Sequence, residues 1–378
     1  MNTTARELVV LLVSCINENY LVSFYGRANY SLDSRYVFTF TARGDGSSKF
    51  AKAYRWGWFP SVSLGWNISN EPFMESAEGV DLKFRISYGK TGNQEGIGNY
   101  AYQPKLSAGY NYGTESGFAV SDFGNEQLTW EKADQYDIGL DMGFFDDRLT
   151  ASVDWYNRNT EDMLLSKRVP YTTGFGSNFM NIGAIRNRGV EVQLEGILVN
   201  TSDVLWTAGV NVAFNRSKVL DLADSEYLSV EDNRASKNTG TPVRIVKDKG
   251  LYTFYLRDWY GVNPSNGDPL WYDEEGKLTS DVSKARYIYE GSPEPKATGG
   301  FNTSLSWKGL TLSAFFEFVC GNKVFMASQF DLDGYDIATA NILADVLIPL
   351  AGVIGKYLKP NALLITSGIL EDKKDAVT

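Results

Sequence analysis

Along most of the chain, apolar and polar residues alternate one for one. Between residues 20 and 32, Tyr20, Val22, Phe24, Gly26, Ala28, Tyr30 and Leu32 fall on one side of an extended backbone. Ser23, Arg27, Asn29 and Ser31 fall on the other, with Tyr25 among them. The same rhythm returns in residues 35–43, 61–69, 81–90, 133–145, 148–157, 189–199, 204–215, 297–307 and 309–320. A period of two predicts strands with one apolar and one polar face, and this pattern gives about ten of them.

The connections differ by end. Short turns are expected at Leu32–Ser34, Phe145–Arg148, Asn200–Asp203 and Trp307–Gly309, with a medium one near Asn70–Val80. Long segments, 44–60, 91–128, 158–188 and 216–296, lie between them. Short turns at one end and long loops at the other suit a transmembrane barrel. Long structureless loops are uncommon in a compact soluble domain. The polar face carries Arg27, Lys83, Arg85, Asp137, Asp141, Asp154, Glu191, Glu195 and Glu317. A soluble sandwich would put those charges on its outer surface, so charge alone leaves both architectures open. Tyr20, Tyr36, Trp66, Trp155, Trp206 and Trp307 stand near strand ends, where a membrane barrel has its aromatic girdles. The expected fold is all-β: an antiparallel up-and-down transmembrane β-barrel. Its apolar face would meet outer-membrane lipid and its charged face would line a lumen.

Composition narrows the chemistry. The chain has 378 residues, a net charge of −10 and no His. The acidic balance argues against nucleic acid, which needs a basic face. Without His, the commonest general base and transition-metal ligand are gone. Two cysteines, Cys15 and Cys320, cannot build a disulfide framework or a thiolate cage. A zinc enzyme and a Ser-His-Asp hydrolase are thereby excluded. A carboxylate-based glycosidase is not excluded by composition. Glu126 and Glu131, or Asp134, Asp137 and Asp141, could be read as its acid pair. Asp137 and Asp141 lie on an alternating strand face, so lumen lining is the better reading. No catalytic residue, cofactor or metal is assigned. The acidic "DLDGYD" (331–336) lacks the distal Glu of a calcium loop.

Near the C-terminus, "NILADVLIPLAGVIGKYL" (341–358) is apolar, but it carries Asp345 and Lys356 and is interrupted by Pro349, Gly352 and Gly355. A membrane helix needs roughly 20 mostly apolar residues. Near the N-terminus, Leu12-Val13-Ser14-Cys15 fits a lipoprotein cleavage box, though its apolar run is short and Arg6 is offset by Glu7.

Several segments then resemble, in order, one family. They are "SFYGRANYSLDSRY" (23–36), "RGDGSSKF" (43–50), "WGWFPSVSLGWNIS" (56–69), "LKFRISYGKTGNQ" (82–94), "LTWEKADQYDIGLD" (128–141), "DWYNRNTEDMLL" (154–165), "GFGSNFMNIGAIRNRGVEV" (174–192) and "GGFNTSLSWKGLTLSAFFEF" (299–318). Together they resemble the SusC/RagA-type TonB-dependent outer-membrane transporters. The resemblance implies a barrel of about 22 strands, plugged inside, of which the roughly ten strands here would be a part, an open curved sheet. It implies import of oligosaccharides or peptides, a SusD-like lipoprotein lid, and a plug pulled by the TonB complex from the N-terminal side. It implies the outer membrane of a Gram-negative cell.

Residues 1–19 are unassigned, 20–320 carry the barrel pattern, and 321–378 form a loop and a tail that does not continue it. A truncated or frame-disrupted piece of a longer gene, unable to transport alone, is the expectation. A surface-exposed β-rich ligand-binding lipoprotein held by Cys15 is the alternative.

Two features could meet a partner. Arg43-Gly44-Asp45 spells an adhesion tripeptide, but it fits equally the end of a lumen-facing row and the start of a loop at Gly44. The family pattern there is Arg, any residue, Asp-Gly-Ser-Ser. A phosphate loop is unsupported, since no Walker lysine spacing is present. Aromatic faces stack on sugar rings, and Tyr and Trp are favoured at interfaces. Trp58, Tyr110, Tyr112, Trp259, Tyr260, Trp271 and Tyr272 are the candidates for ligand or lid contact. Loop-on-loop packing is the competing reading for them.

Overall fold

The computed structural model describes residues 17–110, 113, 115, 117–223, 225–229, 242–325, 335–341 and 358–367. The chain divides into two units: residues 1–231 with 241–323, and residues 232–240 with 324–378.

In chain order the strands of the first unit begin with β1 (Leu21–Leu32), β2 (Tyr36–Ser47), β3 (Trp56–Asn67) and β4 (Val80–Asn93). A hairpin of β5 (Lys105–Ala108) and β6 (Phe118–Asp122) precedes β7 (Glu131–Phe144) and β8 (Leu149–Glu161). A second hairpin, β9 (Leu164–Arg168) with β10 (Ser177–Asn181), precedes β11 (Ala184–Asn200) and β12 (Val204–Asp221). The following loop holds β13 (Tyr227–Ser229), β14 (Val243–Val246), β15 (Thr253–Arg257), β16 (Trp259–Val262), β17 (Pro269–Tyr272), β18 (Leu278–Thr279) and β19 (Tyr287–Tyr289). The unit closes with β20 (Ala297–Trp307) and β21 (Leu310–Cys320).

Ten strands form one sheet in the order β1-β2-β3-β4-β7-β8-β11-β12-β20-β21. Every pairing in it is antiparallel. Each wall strand pairs with the next one along the chain, so the sheet is an up-and-down meander. Among the described residues, β1 and β21 are its two edges, and the sheet does not close on itself.

The register aligns the apolar positions across strands. Ile86 faces Ile138, Ile138 faces Trp155, Trp155 faces Val190, and Val190 faces Phe214. That single row crosses five strands. Its side of the sheet is open: Phe24 is 64%, Phe316 62% and Leu312 70% exposed. An apolar surface this continuous exceeds what water-facing proteins carry and marks a membrane or partner face. The opposite face carries the polar rows.

The wall strands outrun the alternation. β2 continues to Ser47, β11 begins at Ala184 and β12 reaches Asp221. The sequence pattern had placed their limits at 43, 189 and 215, and had opened a loop at Gly44. Beyond the apolar belt the outward positions are Gly44, Gly46, Arg186, Arg188, Arg216 and Lys218. Contrast between the faces disappears there while the hydrogen-bonded ladder continues. The short turns are as expected: residues 33–35, 145–148, 201–203 and 308–309. Lys308 and Gly309 both have positive φ, 47° and 88°, the geometry a two-residue hairpin requires.

The second unit contributes β22 (Tyr335–Asn341) and β23 (Leu358–Ser367), which pair in parallel. Parallel pairing needs a crossover connection, whereas antiparallel wall strands can be joined by a direct turn, as at residues 33–35 and 308–309. That connection, residues 342–357, lies outside the described residues, and with it most of the apolar stretch at 341–358. Among the described residues, no helix is long and apolar enough to cross a membrane. The cleavage-box motif ending at Cys15 and residues 331–334 of "DLDGYD" also lie outside the described residues.

Candidate functional site

At the long-loop end, β2 and β3 build a rim. Gly44 pairs with Trp58 and Gly46 with Trp56. A Cβ on either glycine would stand 2.8 Å from the facing indole. Only glycine lets these rings lie flat on the neighbouring strand. Phe24 stacks on Trp56 at 5.9 Å, extending the apolar face upward. Trp58 is 70% exposed and shares that outward face with Val62 and Leu64. It therefore belongs to the rim and not to the lumen.

The inward positions of the same stretch do different work. Arg43 Nε donates to both Asp45 oxygens, at 2.9 and 2.7 Å, and Asp45 is buried. The Arg-Gly-Asp tripeptide is thus strand, with its two charges spent on each other. Ser47 Oγ accepts from the Lys49 amide at 3.1 Å and starts the turn.

Beneath the loops lies a compact apolar cluster: Phe50, Phe59, Ile97, Ala101, Leu128, Trp130 and Leu164, with Phe179 packed against it. Phe59 meets Trp130 edge-on at 5.5 Å, and Trp130 Nε1 donates to the Arg55 carbonyl at 2.9 Å. The cluster ties the loops after β2, β4 and β8 to one another. The sequence offered no periodic signal for it, because its members come from loops and strand ends.

The polar face below is a hydrogen-bonded wall. Arg85 grips Asp141 with two bonds, at 2.7 and 2.8 Å, and reaches Asp154 at 2.9 Å. Asp137 accepts from Ser87 at 3.0 Å and from Gln135 at 2.8 Å. These carboxylates are hydrogen-bonded within the wall, on the polar face where the strand pattern puts them. A cavity of about 590 Å³ opens on this wall between Arg27, Thr39, Arg43, Ser61, Ser87 and Asp137. Another, of about 450 Å³, is acidic, with Asp154, Glu191 and Glu317 among its lining. Among the described residues no group of three His, Cys, Asp or Glu is placed to hold a metal.

At the short-turn end, Glu71 gathers three donors. Its Oε1 accepts from Tyr36 Oη at 2.5 Å and Trp66 Nε1 at 2.9 Å, and its Oε2 from Arg35 at 3.2 Å. The Tyr36 and Trp66 hydrogen bonds, then Arg35, hold its carboxyl below the usual range.

The loop between β12 and β20 brings four predicted aromatics together. β16 pairs with β17, setting Trp259 opposite Trp271. Trp259 meets Trp271 edge-on at 5.5 Å, and Tyr260 meets Tyr272 likewise at 5.5 Å. Trp259 and Tyr260 remain about half exposed, at 51% and 53%. Arg286 bonds Asp258 at 2.8 Å and lies 5.4 Å from the Tyr272 ring. Tyr110 is exposed just beyond β5, in another loop. Tyr112 lies outside the described residues.

The same loop contains an aromatic–cation stack that the sequence reading missed. Arg244 sits between the rings of Tyr227 and Tyr255, at 3.8 and 3.6 Å. Tyr255 stacks on Tyr287 at 4.7 Å, and Arg257 lies 4.1 Å over Tyr287. Short alternating runs at "TFYLR" (253–257) and "YIY" (287–289) were the available signal.

Comparison with known proteins agrees with this geometry. Residues 16–335 match the family model described as TonB dependent receptor-like, beta-barrel. TonB-dependent receptor P3 of Formosa agariphila is 32% identical over 352 residues, covering 88% of this chain and 35% of the relative. TonB-dependent receptor SusC of Bacteroides thetaiotaomicron is 34% identical over 328 residues, covering 81% and 32%. A solved structure of the RagAB peptide transporter superposes with a TM-score of 0.73 at 33% identity, covering 84% of this chain and 35% of that one. The chain thus spans about a third of the length of these relatives. Residues 320–378 match a different model, ribosomal protein L11 methyltransferase. The methyltransferase of that name from Lachnoclostridium phytofermentans is 44% identical over 52 residues, 16% of its own length. The tail that breaks the barrel pattern therefore resembles a short piece of a second family.

Proposed function

Because the chain belongs to the TonB-dependent receptor-like β-barrel family, we propose that its ten-stranded sheet is part of the wall of an outer-membrane nutrient importer. The apolar face would sit in lipid and the polar face would line the lumen. The observation that carries this is the sheet itself: one face continuously apolar and open, the other ion-paired, and every long loop at one end. In this reading the cargo is an oligosaccharide or a peptide, and a SusD-like surface lipoprotein covers the loop end as a lid. The Trp259–Tyr260–Trp271–Tyr272 hairpin and the Tyr227–Arg244–Tyr255 stack are the contact surface. Their exposed rings offer flat apolar area beside guanidinium groups, which suits sugars and peptides alike. Coupling to TonB would fall to a region other than these strands. The alternative of a β-rich lipoprotein held by Cys15 is weaker, because it leaves the whole apolar face without a partner.

Spin labels at successive positions 311–316 of β21, on the detergent-solubilised chain, test the wall. Accessibility to oxygen is expected at 312, 314 and 316, and accessibility to a water-soluble relaxer at 311, 313 and 315. Equal aqueous accessibility on both faces would sink the proposal.

A further inference from the structure

The apolar face ends, at its long-loop edge, in a patch of positive charge. Along β11, Arg186 and Arg188 share the parity of Val190, Val192 and Leu194. Along β12, Arg216 and Lys218 share the parity of Phe214, Val212 and Val210. The register sets Arg188 opposite Arg216 and Arg186 opposite Lys218, directly beyond Val190 opposite Phe214. All four cations therefore point to the lipid side. The first pair stands two residues past the last apolar row, roughly 7 Å along the strand.

Like charges placed opposite each other across strands destabilise a sheet. Two consecutive such pairs stand here with little to neutralise them. Arg186 Nε donates to the neutral Asn159 at 2.9 Å. Lys218 has one carboxylate, Asp248, at 2.8 Å. Among the described residues, Arg188 and Arg216 have no carboxylate partner. In the same row on β4 and β7, by contrast, Lys90 is paired with Asp134 at 3.1 Å. The repulsion is thus particular to β11 and β12. A cavity of about 450 Å³ opens there, lined by Arg186, Arg188, Arg216, Lys218, Asp248 and Lys249.

We infer that this cavity is a binding site for the phosphorylated headgroup of an outer-leaflet lipid. The height is right: just past the apolar belt, on the outward face, at the long-loop end. The chemistry is right: paired guanidinium forks bind phosphate bidentately, and phosphate would relieve the cation repulsion. Surface-facing basic clusters attract anionic lipids within a Debye length of the membrane. The acyl chains would continue down over Val190, Phe214 and Trp155. The inference rests on reading the apolar face as lipid-facing.

The test uses the full chain in detergent, with bound lipid counted by native mass spectrometry. The probes are diphosphoryl lipid A, the same lipid with its phosphates removed, and inorganic phosphate. Retention of diphosphoryl lipid A should fall about tenfold or more in the double variant Arg188→Gln/Arg216→Gln. It should fall less in Arg188→Lys/Arg216→Lys, which keeps the charge and loses the fork, and persist in Lys83→Gln, a lumen-facing control, with sheet content by circular dichroism unchanged in all three. Equal retention by the glutamine variant would overturn the site, as would equal retention of the dephosphorylated lipid. Displacement by millimolar inorganic phosphate would also overturn it, making it a free-anion site. Incorporation into zwitterionic nanodiscs is measured in parallel. Incorporation without phosphate selectivity indicts the site alone, whereas failed incorporation indicts the lipid-facing reading on which it stands.

Discussion

Trp130 is a residue that two environments compete for. Its ring is buried among Phe50 and Phe59, and its indole N–H is satisfied by the Arg55 carbonyl. It is thereby the hinge pin between three loops and the wall. Trp130→Ala removes the ring and leaves a cavity, for which a loss of about 3–5 kcal/mol is expected. Urea unfolding in detergent measures it. A loss below about 1 kcal/mol would mean the loops are held by something other than this cluster. Gly92 shows the same crowding from the other side. A Cβ there would lie 2.0 Å from the Phe59 ring. At the opposite extreme, the Arg43–Asp45 pair shows a motif emptied of its meaning by local geometry. A buried aspartate bonded to the neighbouring arginine has no charge to present to a receptor.

The hairpin of β2 and β3 with its following turn is an element fixed at one end by a single carboxylate. Glu71 has its pKa lowered in the fold by Tyr36, Trp66 and Arg35. The unfolded chain therefore takes up the proton first as pH falls. The stabilisation is complete above the ordinary glutamate range and is withdrawn as pH drops below about 4 toward the lower folded value. Thermal unfolding of the wild type should weaken across that window, and Glu71→Gln should lose this component of the slope. Identical slopes in the two proteins would remove Glu71 from the account. This knot was illegible in the sequence, because Glu71 sits in a turn with no periodic neighbour to flag it. The ten wall strands were legible wherever outward apolar residues alternate with polar ones. Their upper ends were not, since Gly44, Gly46, Arg188 and Arg216 replace the apolar positions above the belt. Four of the candidate aromatics converge on one hairpin, but spacing could not reveal that Trp259 meets Trp271. The alternation leaves Trp58 in the segment 44–60, ahead of the strand; only the ladder pairing with Gly44 puts it in β3 and shows which way it faces.

At the scale of the molecule, the sheet has two open edges. Among the described residues, β1 and β21 each carry a row of main-chain groups with no strand beyond them. In hydrocarbon each unsatisfied group costs several kcal/mol, so open edges seek partners. Light scattering of the 42.1 kDa chain in detergent should give masses at multiples of that value. A single species at the monomer mass, with full sheet content in several detergents, would show that the edges are satisfied some other way. The parallel β22–β23 pair is a different kind of object. Parallel sheets are as a rule covered on both faces by protein, whereas the wall leaves one apolar face open. The two family matches along one chain thus correspond to two kinds of sheet.

The sequential strand order also has a kinetic consequence. Each wall strand can dock onto its immediate predecessor, so the sheet can grow like a zipper, one hairpin at a time. The costly step is the one that spans residues 222–296, between β12 and β20. Loop closure rises only logarithmically with length, about 0.6 kcal/mol per doubling. If the small sheets inside that span fold locally first, they shorten it further. Docking of the last hairpin is then expected to be the slowest step, and shortening residues 222–296 should speed refolding of the sheet; an unchanged rate would remove the loop from the account.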